Sequence, residues 1–131
     1  MIAVDTSSLI EYLSGSEGSD VAAVEIALRE KQAVLPPVVL CELLSDPKLL
    51  QSVAKLLLEV PLLPILDGFW QRAGLLRSKV IRRGRKAPLA ESLIAQVCID
   101  HGVPLISRDA DFRHFGQHGG LELLPDKTRA L

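Results

Sequence analysis

Residues 103–112, which decide the fold, read Val103-Pro104-Leu105-Ile106-Ser107-Arg108-Asp109-Ala110-Asp111-Phe112. The short apolar run at their start predicts a buried strand, and acids follow where that strand ends. The preceding residues, 89–101, predict a helix, because the glycine at position 102 is the residue expected just past a helix C-terminus. We expect the buried face of this helix to contain Leu93, Ile94, Val97 and Cys98.

The first residues repeat this order, reading Met1-Ile2-Ala3-Val4-Asp5-Thr6-Ser7-Ser8. A short apolar run ends at Asp5 and leads into a helix. We expect that helix to begin at Ser7 or Ser8, because Ser8 and Glu11 have the spacing of a capping box. Residues 33–35 predict a second strand. The prolines at positions 36 and 37 then begin the helix that carries Glu42, since proline is tolerated in a first helical turn.

Strands and helices alternate along the rest of the chain. We predict strands over 62–66 and 121–124 and helices over 49–60 and 67–80. The last of these helices is expected to bury Trp70, Leu75, Leu76 and Val80. Strands separated by helices imply right-handed crossovers and a parallel sheet covered on both faces. We therefore expect an α/β fold, a three-layer α/β/α arrangement with a central parallel sheet. With 131 residues and 48% apolar content, we expect one domain over residues 1–131.

The apolar segments do not predict a membrane protein. The longest, near 33–41 and 56–66, are interrupted by prolines and by Glu59, and they fall short of the roughly 18 residues that a spanning helix needs. The N-terminus has no basic leader and reaches Asp5 almost at once, so we do not interpret it as a secretory signal. These features favour a cytoplasmic protein.

Basic residues are concentrated in one part of the chain. The formal net charge is only −1, yet no acid occurs between Gly68 and Ala90. The basic residues in this interval form either a solvated helix face or a surface that attracts a phosphate backbone. Because carboxylates are expected nearby, we favour the second interpretation. The candidate contacts with RNA are Arg82, Arg83, Arg85 and Lys86.

Five acids are expected at one edge of the sheet. In a parallel α/β sheet the functional crevice lies beyond the carboxyl ends of the strands. Asp5 and Asp109 directly follow strands, Glu42 and Glu91 lie near the starts of helices, and Asp111 is two residues past Asp109. Each acid alone is also explained as a cap or a partner of a helix dipole. Together, their repulsion would cost several kcal/mol unless a cation neutralised it. Mg²⁺ or Mn²⁺ suits such oxygen ligands.

Four segments resemble the motifs of PIN-domain ribonucleases. Residues 4–10 look like their opening motif, and Glu42 with Leu43 looks like their second acidic motif. Residues 91–95 are similar to their Asp-x-Leu-Ile-Ala helix, and residues 107–112 resemble their closing segment. The motifs occur in order over nearly the whole chain, which is similar to the VapC-like toxins of type II toxin-antitoxin pairs. One residue departs from the pattern, since Glu91 stands where the family usually has aspartate.

The resemblance implies a metal-dependent endoribonuclease that cleaves structured RNA. In that interpretation Asp5, Glu91 and Asp109 hold one or two Mg²⁺ or Mn²⁺ ions, Glu42 orients the attacking water, and Asp111 assists as an additional acid. It also implies an antitoxin partner and a homodimer.

Three hydroxyl residues close to these acids have two interpretations. Thr6, Ser7 and Ser107 either hydrogen-bond the carboxylates and fix their rotamers or act as helix caps and turn formers. The leucine-rich residues 43–58 likewise either form a groove or interface for a partner or are buried in the core.

Other functions stay open from the sequence. A catalytically weakened PIN module would bind RNA or protein without cutting, and Glu91 is the feature that favours it. An aspartate-based phosphohydrolase generally has a second aspartate two residues after the first, where this chain has Ser7. A zinc site is disfavoured because the spacing of Cys98, His101, His114 and His118 matches no compact zinc pattern.

Overall fold

Four short parallel strands form the centre of the computed structural model, which describes residues 1–125. The expected domain also includes residues 126–131, which lie outside the described part. The elements, in chain order, are β1 (Ile2–Val4), α1 (Thr6–Leu13), α2 (Ser19–Arg29), β2 (Ala33–Val34), α3 (Pro37–Leu44), α4 (Gln51–Glu59), α5 (Phe69–Arg82), α6 (Leu89–His101), β3 (Leu105–Ile106), a 3₁₀ turn (Ala110–Phe112), α7 (Arg113–Gly119) and β4 (Leu123–Leu124).

The strand order β2-β1-β3-β4 determines where a crevice opens. All pairings are parallel, with Ala3 opposite both Val34 and Leu105. The chain leaves β1 toward β2 and later returns past β1 to form β3, so the strand order reverses between β1 and β3. At such a switch point the connections diverge and a crevice forms beyond the carboxyl ends of the two strands. The predicted α/β fold, with a central parallel sheet flanked by helices, is confirmed.

The predicted strand over 62–66 is wrong except at its first residue. Leu62 forms a single parallel bridge with Leu35, and Leu63 N–H donates to the carbonyl of Leu35 at 3.0 Å. The neighbouring strand cannot continue, because α3 begins at Pro37. Pro64, moreover, has no N–H to donate to a further ladder. The segment therefore leaves the sheet after one pairing.

The inward face of α5 differs from the prediction by one position. Phe69, Ala73, Leu76 and Val80 are buried, a spacing that keeps one face of a 3.6-residue helix. Leu76 and Val80 are buried as predicted. The prediction for Trp70 and Leu75 is wrong, since they are 65% and 71% exposed. Both lie off the stripe that Phe69 defines.

The start of α1 also differs from the prediction. The N-cap is Asp5, whose carboxylate accepts the N–H of Ser7, so the helix begins at Thr6. Ser8 is fully buried and donates its hydroxyl to Asp20 Oδ2 at 2.8 Å instead of capping the helix. The C-terminal glycine of α6 is confirmed, because Gly102 adopts a left-handed conformation at φ 61°.

The leucine-rich residues 43–58 divide between the core and the surface. Leu43 and Leu57 are buried, whereas Leu44, Leu50, Leu56 and Leu58 are exposed. Both sequence interpretations therefore describe part of this segment. Over residues 1–125, none of the helices combines the length and apolarity that crossing a membrane would require.

Candidate acidic site at the strand ends

Asp5 is the most buried acid at the carboxyl ends of the strands, with 4% of its surface exposed. It directly follows β1, and its Oδ2 accepts hydrogen bonds from the Ser7 hydroxyl at 2.7 Å and the Ser107 hydroxyl at 2.9 Å. Burial raises the pKa of Asp5, and these hydrogen bonds offset only part of the effect. A carboxylate is thus held in a position that its charge disfavours.

Ser107 connects the ends of the two central strands. Its hydroxyl donates to Asp5 and accepts the N–H of Asp109 at 3.0 Å, while the N–H of Asp111 donates to Asp109 Oδ1 at 2.9 Å. One hydroxyl therefore contacts a carboxylate and also forms a turn, so the two interpretations of Ser107 are not exclusive. The contact that the structure gives Asp111 is through its backbone.

Two glutamates complete the group. Thr6 donates its hydroxyl to Glu42 Oε1 at 2.8 Å, which ties the exposed Glu42 on α3 to the start of α1. Glu91 is half-buried in the first turn of α6. Burial raises the pKa of Glu91, and the negative charges of Asp109, Glu42 and Asp5 raise it further. These four carboxylates therefore share one electrostatic field; we call them the acidic site.

A model of the PIN domain family matches residues 2–117 of the chain. The chain belongs to this family. Solved structures with the same fold include VapBC2 from Rickettsia felis bound to a promoter DNA fragment, with a TM-score of 0.72 and 20% identity over 94% of this chain and 97% of that chain. FitAcB from Neisseria gonorrhoeae gives a TM-score of 0.68 and 19% identity over 94% and 96%. VapBC-5 from Mycobacterium tuberculosis has a TM-score of 0.65 and 21% identity over 93% of this chain and 95% of that chain.

These likenesses confirm the sequence resemblance at the level of family and fold. No curated protein sequence matches the chain. PIN domains are generally nucleases, and the structural neighbours described as VapBC are toxin-antitoxin complexes.

The donor atoms of the acidic site suit a divalent cation, although they are not already arranged around one. Carboxylate oxygens are preferred ligands of Mg²⁺ and Mn²⁺. Within residues 1–125, no three His, Cys, Asp or Glu side chains stand close enough together to hold an ion. Like charges repel, so ionised carboxylates keep apart unless a cation draws them together. The exposed Glu42 and half-buried Glu91 have the freedom to adjust.

The basic residues of the PIN domain precede α6, the helix that carries Glu91. Arg82, Arg83, Arg85 and Lys86, here called the basic loop, are all exposed at the end of α5 and in the connection to α6. Arg77 Nε donates to the carbonyl of Ala87 at 2.8 Å and anchors this connection a few residues before Glu91. None of the three ion pairs found in residues 1–125 involves the basic loop.

Sequence reasoning missed an ion pair beside the site, in which the Asp20 carboxylate is buried and the Arg108 side chain is exposed. Arg108 lies between Ser107 and Asp109 in the chain, and its guanidinium forms two hydrogen bonds with Asp20 on α2. These hydrogen bonds lower the pKa of Asp20 to about 2. Asp20 is distant in sequence and lies in the first turn of a helix, where an acid is expected for the helix dipole alone. Only the fold brings the two residues together.

Proposed function

We propose that this PIN domain is a Mg²⁺- or Mn²⁺-dependent endoribonuclease and the toxin of a toxin-antitoxin pair. The observation that carries the proposal is the group of four carboxylates at the switch point of the sheet, where burial raises the pKa of Asp5 and Glu91. A fold gains no stability from burying acids that repel one another, and such perturbed groups cluster at functional sites. The membership of a family whose domains are generally nucleases supports the same conclusion.

The residues of the acidic site would divide the reaction among them. Asp5, Glu91 and Asp109 would hold the ion, and Asp111 would be available as an additional acid. The ion, when bound, lowers the pKa of a coordinated water and stabilises charge on the scissile phosphate. Glu42, whose carboxylate accepts a hydrogen bond from Thr6, would orient the attacking water and receive its proton.

Two serines would keep Asp5 in one rotamer during this reaction. The hydroxyls of Ser7 and Ser107 both donate to Asp5 Oδ2, so its other oxygen stays available. Hydrogen bonds of this kind orient a ligand before it meets its ion, and they reduce the reorganisation that binding requires.

The substrate that fits the surface is structured RNA held by its phosphates. The four cations of the basic loop are exposed at the end of α5 and in the connection to α6, which carries Glu91, and they would offset repulsion between the acidic site and the RNA backbone. Phe69, Phe112 and Phe115 are buried in the core, so they are not available to stack on bases. Trp70 is exposed, but it lies at the start of α5, at the opposite end of that helix from Arg82. Recognition by shape and phosphate contacts follows, and an RNA substrate implies a cytoplasmic location.

An apolar groove supports the antitoxin as a partner. A cavity of about 540 Å³ opens between α1, α2, β2 and α4, with walls that include Leu9, Tyr12, Leu28, Val53, Leu56 and Val60. A groove of this composition accepts the apolar face of a helix. The neighbours described as VapBC are complexes with an antitoxin, which favours that occupant here. The proposal also includes a homodimer, for which the exposed Leu50 and Leu58 offer apolar surface.

The test is cleavage of a panel of structured RNAs by purified, antitoxin-free protein. Wild type is expected to cut with Mg²⁺ or Mn²⁺ and to stop in excess EDTA, and Asp5→Asn is expected to be inactive although folded. Glu25→Gln is the matched control, because Glu25 is an exposed acid on α2 outside the acidic site. Equal cleavage by wild type and Asp5→Asn would contradict the proposed mechanism.

Glu91 keeps a second function under consideration. Its side chain is one methylene longer than the aspartate usual in the family, and a longer ligand would change where an ion could be held relative to the other carboxylates. A PIN module that binds RNA without cutting it would give a metal-independent gel shift and no cleavage product. The phosphohydrolase alternative is not supported, because the position two residues after Asp5 holds a hydroxyl that donates to Asp5.

A further inference from the structure

An ion pair joins α2 to the segment that carries Asp109, with the Asp20 carboxylate buried and the Arg108 side chain 37% exposed. Asp20, in the first turn of α2, is 7% exposed. Its Oδ2 accepts Arg108 Nε at 2.8 Å and the Ser8 hydroxyl at 2.8 Å, while its Oδ1 accepts Arg108 Nη2 at 3.0 Å. Glu11 on α1 lies 3.6 Å from Arg108 Nη1. Segments from α1, α2 and the end of β3 therefore meet at one guanidinium.

The backbone direction explains why Arg108 faces α2. Successive side chains in an extended segment point to opposite sides. Ser107 and Asp109 are two positions apart, and Ser107 contacts Asp5 at the acidic site. Arg108 lies between them and points to the other side, toward Asp20. One residue thus anchors two neighbours, of which Asp109 belongs to the acidic site and Ser107 contacts it.

The sheet holds the residues after Ile106 weakly, although the carbonyl of Ile106 itself accepts the N–H of Asp5 at 2.9 Å. β3 consists only of Leu105 and Ile106, and the next backbone hydrogen bond to β4, from Ser107 N–H to the carbonyl of Leu124, is long at 3.4 Å. A two-residue strand gives little control over residues beyond its end. The Arg108–Asp20 pair therefore adds a side-chain anchor to the hydrogen bonds that Ser107 makes with Asp5 and Asp109.

The turn before α2 is shaped around the same pair. A Cβ at Gly18 would lie 2.7 Å from Asp20 Oδ1 and 3.2 Å from Arg108 Nη2. Gly18 also has a φ of 153°, which other residues rarely adopt. The absence of a side chain lets the backbone pass close to the ion pair.

We infer that Asp20 and Arg108 are positioning residues, which hold segment 107–109 so that Ser107 reaches Asp5 and Asp109 faces Glu91. The geometry of this anchor is independent of the proposed nuclease activity, whereas its consequence for metal binding rests on the proposed function. The pair touches neither RNA nor ion, and it acts through Ser107 and Asp109.

The test measures amide hydrogen exchange by NMR at Asp109 and Asp111, whose N–H groups donate to Ser107 Oγ and Asp109 Oδ1. Arg108→Ala is expected to speed exchange at both amides by about tenfold. Without the ion pair, the segment can open locally without breaking it, so the free energy of local opening is lower. Arg108→Lys should recover part of the protection, since an ammonium keeps the charge but not the two-pronged contact.

Arg72→Ala is the matched control. Arg72 makes a similar two-pronged pair with Asp100, at 2.8 and 2.7 Å, between α5 and α6, and its side chain is 41% exposed against 37% for Arg108. It should leave exchange at Asp109 and Asp111 at the wild-type rate, although it removes a comparable ion pair. If Arg108→Ala does not fold, Asp20→Asn supplies the same comparison with less disruption.

A second readout separates this inference from the proposed function. Titration with Mn²⁺ alone is expected to show affinity lowered about tenfold or more in Arg108→Ala, the range seen when groups that orient metal ligands are removed, and unchanged in Arg72→Ala. Wild-type exchange rates at both amides in Arg108→Ala would overturn the inference, whatever its thermal stability. Wild-type protein that neither binds Mn²⁺ nor cuts RNA would overturn the proposed function, and the exchange comparison would still decide the anchor.

Discussion

Replacing Asp5 with asparagine is expected to make the metal-free protein more stable. Burial raises the pKa of Asp5, so the ionised carboxylate is less favourable in the folded than in the unfolded chain at neutral pH. Asparagine removes the charge and remains a good N-cap for α1. Its amide oxygen can still accept the hydroxyls of Ser7 and Ser107, which now donate to Asp5 Oδ2.

Two opposing contributions set the magnitude. Burying a charge costs several kcal/mol, and hydrogen bonds to the charged group return about 1.5–3 kcal/mol each. Asp5 receives two hydroxyl hydrogen bonds and a long backbone one at 3.4 Å, and the raised pKa means that burial outweighs them. We expect Asp5→Asn to add about 1 kcal/mol to the free energy of unfolding. That gain corresponds to a Tm higher by about 3–5 °C for a chain of this length.

The assay is thermal unfolding in EDTA and in Mn²⁺, at neutral and at acidic pH. The advantage of Asp5→Asn should shrink as the pH falls through the raised pKa of Asp5, because wild type then becomes neutral at this position. In Mn²⁺ the order should reverse, since an ion at 100 times its Kd stabilises wild type by about 2.7 kcal/mol and Asp5→Asn loses a ligand. Glu25→Gln should change the free energy of unfolding by no more than about 0.5 kcal/mol, both in EDTA and in Mn²⁺.

The reasoning would be refuted if Asp5→Asn were less stable than wild type in EDTA at pH 7. The charge of Asp5 would then stabilise the fold as an ordinary helix cap. A variant that is more stable in EDTA yet gains as much from Mn²⁺ as wild type would remove Asp5 from the ligand set.

Three further predictions concern cleavage. Glu91→Asp should cut at least as fast as wild type, because it supplies the ligand usual in the family. Glu91→Gln should be inactive. Equal cleavage by the two variants would exclude Glu91 as a ligand. Ser107→Ala should lower kcat about tenfold with little change in KM, since it frees the rotamer of Asp5. Arg83→Glu combined with Arg85→Glu should raise KM and make RNA binding less dependent on salt, with kcat unchanged. An unchanged salt dependence would remove the basic loop from the RNA surface.

The parts of the fold that could be predicted have strong local signals. Gly102 ended α6 and Pro37 began α3 as expected, because each residue has few other conformations available. The prediction of a strand over 62–66 is wrong because its pairing depends on where the neighbouring strand β2 ends, and no local sequence pattern indicates that position. The prediction for Trp70 is wrong because the face of α5 that packs against the core begins at Phe69, one position earlier.

The candidate site was predictable where residues follow central strands, and not where it depends on distant packing. Asp5 and Asp109 follow β1 and β3, so the parallel sheet alone predicts that they lie at one edge. Asp20 and Arg108 are 88 positions apart; Arg108 lies within the closing segment 107–112, whereas Asp20 belongs to no recognisable motif. An ion pair of this kind has no periodicity to detect. It requires the position of α2 relative to β3, which only the folded chain provides.

The register of the central strands explains why Ser107 and Asp109 are spaced by two. Ala3 pairs with Leu105 and Val4 with Ile106, so the next pair along the ladder is Asp5 with Ser107. The hydroxyl therefore meets the first carboxylate directly, and the residue two positions later returns to the same side of the chain. A slip of one residue would turn Ser107 and Asp109 away from Asp5 and bring Arg108 toward it. Asp20 holds Arg108 on the opposite side of the chain. Residues 107–109 therefore position the acidic site, and they also oppose the shifted register, in which Arg108 would neutralise Asp5.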